Sequence, residues 1–208
     1  MAAQSPWPVI HAERISLADD LASLTEDQWS TTSLCSQWSV WETLGHMTAT
    51  AKMTPPKFFL KMAGTGFRFE SFGAKNIAAE TAGTPADTLA EFRRVATATS
   101  SPPGPVDTWL GETIVHAEDI RRPLGIAHAY PPDALVRVAD FYKGSNLLIG
   151  SKSRIAGLTL RSTDTAWTIG AGPEVSGPML ALVLAMTGRS AGLDELSGDG
   201  LETLRERV

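Results

Sequence analysis

Cysteine is nearly absent: the 208-residue chain has one, Cys35. One cysteine cannot close an internal disulfide, which points to a reducing, cytoplasmic setting. Basic clusters are missing as well. Arg93-Arg94 and Arg121-Arg122 are only pairs, and the net charge is −5. Phosphate binding needs a concentrated basic surface, so no nucleic-acid partner is expected. Long apolar runs are also lacking. The longest, Met179 to Met186, is far short of the ~20 residues that cross a bilayer, so no membrane partner is expected. Met1-Ala-Ala-Gln-Ser-Pro-Trp-Pro has neither a basic n-region nor an apolar h-region, so no signal peptide is expected. Internal repeats and low-complexity tracts are absent. Gly170-Ala-Gly-Pro lacks the following Lys of a phosphate loop and reads as a turn.

What remains is an ordinary globular balance, 43% hydrophobic and 20% charged, enough for a real core. The first part reads helical. His11 to Leu24 carries Ile15, Leu17, Ala18, Leu21, Ala22 and Leu24 at near-helical spacing, and Thr25-Glu-Asp-Gln follows as a break. Ser39, with Glu42 three residues on, is a capping box. The helix it opens should run through Leu44, Met47 and Ala51 to about Met53, where Pro55-Pro56 interrupts. Phe58 to Gly73 reads as partly helical. Thr84 caps a helix with Pro85 at its first position, and Leu89, Phe92, Val95 and Ala96 form its stripe. A loop at Ser100-Ser-Pro-Pro-Gly-Pro precedes a helix from Asp107 to Arg122. Four main helices suggest a four-helix bundle over residues 1–126.

Residues 127–208 read differently. After a linker from Ala127 to Pro132, a helix should carry Leu135, Val138, Ala139, Tyr142 and Leu147. Ile155 to Arg161 alternates as a strand, and Ala166 to Ile169 reads as another. Helices are expected over Gly177 to Thr187 and Leu201 to Arg207. The whole chain is therefore expected to be α+β, a bundle followed by a small α/β domain.

Glu112 and His116 lie four apart on one helix, so a carboxylate oxygen and an imidazole nitrogen can converge on one point. Alone, such a pair is more often a solvated pair than a pair of metal ligands. His46 sits mid-helix between Leu44 and Met47. Alone, it reads as a core histidine satisfied by a carbonyl. Asp119, one turn beyond, either orients a ligand imidazole or pairs with Arg121 or Arg122. Glu118 should be solvated. Arg189 follows Gly188 at a helix end, where it either grips a substrate carboxylate or meets the last carbonyls. His11 and His128 read as surface residues, and Trp38 and Trp41 as packing. Cys35 has no neighbouring cation in sequence to activate it, so it reads as an inert thiol.

The order of several motifs goes further. Cys35-Ser-Gln-Trp-Ser-Val-Trp-Glu-Thr-Leu-Gly-His46 resembles the motif around the first metal histidine of the mycothiol-dependent maleylpyruvate isomerase family, which has a DinB-like bundle. Glu112-Thr-Ile-Val-His116-Ala-Glu-Asp119-Ile-Arg-Arg-Pro-Leu-Gly125 resembles its second metal motif. Leu158 to Pro173, Thr187-Gly-Arg189 and Leu196-Ser-Gly-Asp-Gly200 resemble its second domain, which is sterol-carrier-like in architecture. Residues 55–83 match least.

The resemblance implies that His46, Glu112 and His116 hold a divalent metal, zinc first, and that Arg189 contributes to catalysis and to binding mycothiol. Three protein ligands leave an open position, as catalytic zinc sites do. A thiol that coordinates zinc is deprotonated, whereas an ordinary thiol with a pKa of about 8.5 is mostly protonated at neutral pH. The implied partners are a small-molecule substrate and a low-molecular-weight thiol, and the implied activity is isomerisation or S-transfer. Two other functions fit the same residues. One is a lipid- or metabolite-binding module with a structural metal. The other is a metal-dependent hydrolase with Asp119 as its base.

Overall fold

The structure, a computed structural model, describes residues 5–35, 37–147 and 149–208. Met1 to Gln4, which enter the signal-peptide reading, lie outside the described residues, as do Ser36 and Leu148. The chain divides into two compact units, Met1–His128 and Ala129–Val208.

The first unit is helical. Helix α1, Trp7–Asp20, has Pro8 in its first turn, where the missing N–H costs nothing. It starts four residues earlier than its apolar stripe suggests. It buries Ile10, Leu17 and Ala18, while Ile15, expected inside, is 45% exposed. The expected break at Thr25 is a helix start instead. Thr25 and Gln28 form a reciprocal capping box for the short helix α2, Glu26–Ser30. Helix α3, Val40–Ala51, opens at the Ser39–Glu42 box. The Pro55-Pro56 interruption is itself the start of α4, Pro55–Ala63, because proline suits a first turn. Helix α5 covers Phe69–Glu80. Helix α6, Pro85–Val95, is capped by Thr84 with Asp87, and α7 covers Val106–Arg121.

Helices α1, α7, α3 and α6 pack in a ring, each against the next, and α5 lies along α3. The ring's core holds Leu17, Leu44, Met47, Leu89, Phe92, Ala117 and Ile120, and each large side chain there contributes about 2 kcal/mol. The α3–α5 approach is close at Gly45, where a Cβ would stand 2.8 Å from Thr81 Cγ2. A larger residue beside His46 would therefore push the two helices apart.

The second unit contains α8, Pro132–Tyr142, α9, Ser151–Arg154, and a three-stranded sheet. Its strands are β1, Thr159–Ser162, β2, Thr168–Gly170, and β3, Glu174–Gly177, in the order β2-β1-β3. β1 runs antiparallel to β2 and parallel to β3. Helix α10, Met179–Met186, is buried nearly all round and packs on α8. Helix α11 covers Leu201–Arg205. The second strand begins at Thr168 rather than Ala166, and Gly177, expected to open a helix, closes β3. Two further expectations fail. Leu147 lies beyond α8 and is 77% exposed. Ile155 caps α9 rather than opening a strand, because Gly157, with φ 73°, turns the chain before β1. The Gly170-Ala-Gly-Pro turn feeds β3, which alternation in Glu-Val-Ser-Gly does not announce. A Cβ on Gly172 would collide with the Gly157 carbonyl, so the turn requires glycine there.

Candidate metal centre

Helix α3 presents His46, and α7 presents Glu112 and His116. The Ser39 cap fixes where α3 begins, and the Leu44, Met47, Ala117 and Ile120 packing fixes how α3 and α7 face each other. One donor atom from each of His46, Glu112 and His116 lies within 4.8 Å of the other two. His46 Nε2 is 3.7 Å from Glu112 Oε1. Two ligands about 2.1 Å from one tetrahedral ion stand about 3.4 Å apart, so the His46–Glu112 spacing is close to what a shared ion requires. The two imidazoles meet edge to face with centroids 4.8 Å apart. The Trp38 indole covers both, 4.9 Å from the His46 ring and 6.2 Å from the His116 ring.

Glu112 supplies the observation that tests whether a cation fits. Its side chain is 10% exposed, and neither carboxylate oxygen has a partner at hydrogen-bond geometry. Burial pushes its pKa up, opposed by the charges of His116 and Arg14 and by the nearby Thr50 and Thr113 hydroxyls. A buried, unsatisfied carboxylate is costly. A divalent ion facing it would remove that cost, and the donor set of two nitrogens and one oxygen suits zinc.

The two histidines are driven apart. Burial, then the His116 charge, holds His46 down at about 3, so its nitrogen lone pair is available at neutral pH. Burial would also lower His116, but hydrogen bonds to Asp119 and Cys35 outweigh it and push it up to about 10. Asp119 is fully buried, and its Oδ2 lies 2.8 Å from His116 Nδ1. An ionised carboxylate only accepts, so Nδ1 keeps its proton, and Nε2, also protonated in the metal-free imidazolium, is the nitrogen that would give up its proton to a cation. The Cys35 thiol donates to the same oxygen at 3.0 Å, with Sγ 3.7 Å from His116 Nδ1. Cys35, His116 and Asp119 thus form a second group of possible ligand atoms that shares His116 with the first.

Asp119 meets the imidazole, as the orienting role requires. Arg122 pairs with Glu118 at 2.9 Å and Arg121 with Asp20 at 2.7 Å. Glu118, expected to be solvated, is buried at 3% exposure because Arg122, four residues on, neutralises it. Cys35 is not the isolated thiol the sequence suggests, because the loop before α3 folds it against α7. His11 and His128 are half-buried rather than at the surface. His11 Nε2 lies 3.3 Å from the Ala98 carbonyl, and His128 Nε2 lies 2.7 Å from Glu13 Oε2. Trp41 donates its indole N–H to Thr88 Oγ1.

Arg189 lies in the second unit after α10, and its Nη1 donates to the Thr187 carbonyl at 2.8 Å. Sequence reasoning missed Arg14. It is 1% exposed on α1, its Nη1 reaches the Ala98 carbonyl at 3.4 Å, and its charge favours the Glu112 anion. The signal was present, since Arg14 falls at helical spacing between Ile10 and Leu17 on the buried stripe.

Comparison with known proteins agrees in fold and family. Residues 10–121 match the family model described as mycothiol maleylpyruvate isomerase N-terminal domain. A solved structure of a histidine-to-alanine variant of mycothiol-dependent maleylpyruvate isomerase aligns with TM-score 0.63 and 15% identity, over 93% of this chain and 91% of that one. A second structure of mycothiol-dependent maleylpyruvate isomerase aligns with TM-score 0.59 and 13% identity over the same shares. At these identities the structural likeness speaks for the fold alone. A search of curated protein sequences finds no match.

Proposed function

The chain belongs to the mycothiol maleylpyruvate isomerase N-terminal domain family, and from that premise we propose a metal-dependent enzyme that uses mycothiol on a small electrophilic metabolite. His46, Glu112 and His116 hold the metal, zinc being the best fit to the donors. The observation that carries this reading is the buried Glu112 carboxylate, without a hydrogen-bond partner and facing two imidazoles. When bound there, a divalent ion stabilises a coordinated thiol as the thiolate at neutral pH.

The chain's own residues do the rest. Asp119 holds the His116 Nδ1 proton, which turns Nε2 toward Glu112 and His46. Cys35 donates to Asp119 and fixes that carboxylate's orientation. Trp38 covers both imidazoles and keeps water from that side of the site. By resemblance, Arg189 grips a carboxylate of the substrate or a polar group of the thiol. Addition of a thiolate to an activated C=C leaves a single bond that can rotate, and expulsion of the thiolate then restores the double bond. The outcome is isomerisation with the thiol regenerated. Retention of the adduct would be S-transfer.

The hydrolase alternative is the weaker one. Its base would be Asp119, which is fully buried and engaged by His116 and Cys35. A reduced thiol cosubstrate and a lone cysteine suit the cytoplasm. The test is turnover of maleylpyruvate with mycothiol, with and without a chelator. Turnover that needs mycothiol and disappears with chelator is expected. Equal rates in both would overturn the proposal.

A further inference from the structure

We infer that the α4–α5 corner of the first unit docks on an anionic lipid bilayer surface. Among the described residues, six large apolar side chains stand exposed, and four of them are here. Phe59, Leu60, Phe67 and Phe69 are between 54% and 75% exposed. Such a concentration is not the scattered apolar exposure of an ordinary surface. The α4 helix shows why they face out. Phe58 and Met62, four residues apart, turn inward onto Met53 and Phe72. Phe59 and Leu60 are thereby left on the opposite, outer side. Phe67 is the one non-glycine with positive φ among the described residues, at 61°. A bulky side chain adopts that conformation only at a cost, and here it is spent on an exposed phenyl ring.

Charge decides the occupant. From Pro55 to Lys75 the chain carries Lys57, Lys61, Arg68 and Lys75 against Glu70 alone, an excess of 4 − 1 = 3 positive charges in a protein of net charge −5. Lys57 and Lys61 line one flank of the Phe59–Leu60 strip. The Lys57 stem can lie along apolar surface with its ammonium outward, while Lys61 turns its ammonium to Asn76 Oδ1 on α5, at 2.6 Å. A groove of about 290 Å³, bordered by Lys61, Thr65, Phe72, Lys75 and Asn76, opens beside it. Two lysines at one groove suit a lipid phosphate. A second copy of this face would instead bring like charges together. Among the described residues no helix is long and apolar enough to cross a membrane, and α4 has 9 residues, so the short apolar runs that argue against a membrane partner exclude a span and not surface contact. Helix α4 therefore fits the interface, apolar side down and cations at headgroup level.

The test is flotation of the full chain with vesicles of phosphatidylcholine alone and vesicles containing one third phosphatidylglycerol. Binding to the anionic vesicles only, weakened by added salt, is expected. The Phe59→Ser/Leu60→Ser pair should abolish it. Lys57→Gln/Lys61→Gln should weaken it roughly 25-fold, about fivefold per lysine. All four positions are exposed, so thermal melts should be unchanged for the serine pair and for Lys57→Gln alone, while Lys61→Gln also gives up the bond to Asn76. Loss of binding at unchanged melting temperature will not reflect unfolding. Binding to neither vesicle type would overturn the inference, and so would equal binding to both. A concentration-dependent dimer that the serine pair dissolves, without vesicle binding, would assign the face to a second copy and overturn it as well. The outcome is independent of metal content, so it stands or falls apart from the metal centre.

Discussion

At the α3–α7 corner polar groups are buried, and at the α4–α5 corner apolar groups are exposed. The two corners belong to one unit, yet each departs from the usual distribution in the opposite sense. At the first, Glu112, His116 and Asp119 give up hydration, and hydrogen bonds repay only part of it. At the second, four large apolar side chains remain in water although a core lies one helix face away. A sequence selected for stability alone would have exchanged these residues. Both corners are where a partner outside the chain would complete the balance: a cation at one, a surface at the other.

Several measurements would break or sharpen this contrast. The largest effect should come from His46→Ala, which should reduce thiol-dependent turnover to background while the fold persists, as read by circular dichroism. Leu44→Ala, two residues away on the core side of α3, should instead cost about 2–5 kcal/mol of stability through the cavity it leaves, seen in denaturant unfolding. Asp119→Asn should weaken metal binding by about 10–100-fold, the usual range for a group that orients a ligand histidine, read by competition with a chromophoric chelator. Cys35→Ala should lie at the low end of that range, and Cys35→Ser, which keeps a donor toward Asp119, should recover most of the loss. In a cobalt-loaded protein, a thiolate charge-transfer band removed by Cys35→Ser would show instead that the sulfur is a ligand.

The metal-free protein should also respond to pH from both sides. His46 is held at about 3, below its ordinary 6.5. Between these values the unfolded chain binds the extra proton, so stability falls as pH drops below about 6.5. His116 is held at about 10, above 6.5. Between these values the native state holds the extra proton, so stability falls as pH rises toward 10. A melting temperature that peaks near neutral pH is expected, with the alkaline fall missing in His116→Gln. The smallest effect should be at the other corner, where Phe59→Ser should change stability by no more than about 0.5 kcal/mol. A large loss would show that Phe59 is a core residue, and the contrast would fail.

The two corners were also unequally legible in sequence. Capping and spacing depend on neighbours within a few residues, so the Ser39–Glu42 box placed α3 and its histidine. The four-residue step from Glu112 to His116 likewise placed both on one face of α7. What depends on tertiary packing was not legible. Nothing local announces that the loop holding Cys35 folds onto Asp119, or that Trp38 lies over two imidazoles. Arg14 reads as an error in an apolar stripe until Glu112 is found near it. At the other corner, Pro55-Pro56 and three nearby glycines, at 64, 66 and 73, blur the bounds of α4 and α5, so that Phe58 to Gly73 reads only as partly helical. Phe58 and Met62 turn inward, but the exposed Phe59, Leu60, Phe67 and Phe69 mask that periodicity. Strand β3 escaped because Glu174-Val-Ser-Gly has one β-branched residue, and pairing with β1 supplies what propensity does not.

The central claim is that Glu112, buried and without a hydrogen-bond partner, is there for a cation. Elemental analysis of the purified protein, repeated on Glu112→Gln and His46→Ala, tests it most directly. The account predicts about one divalent metal per chain, zinc first, in the unaltered protein and a near-complete loss in both variants. Metal retained at the same level in the two variants, or a folded and catalytically active protein that carries none, would contradict it.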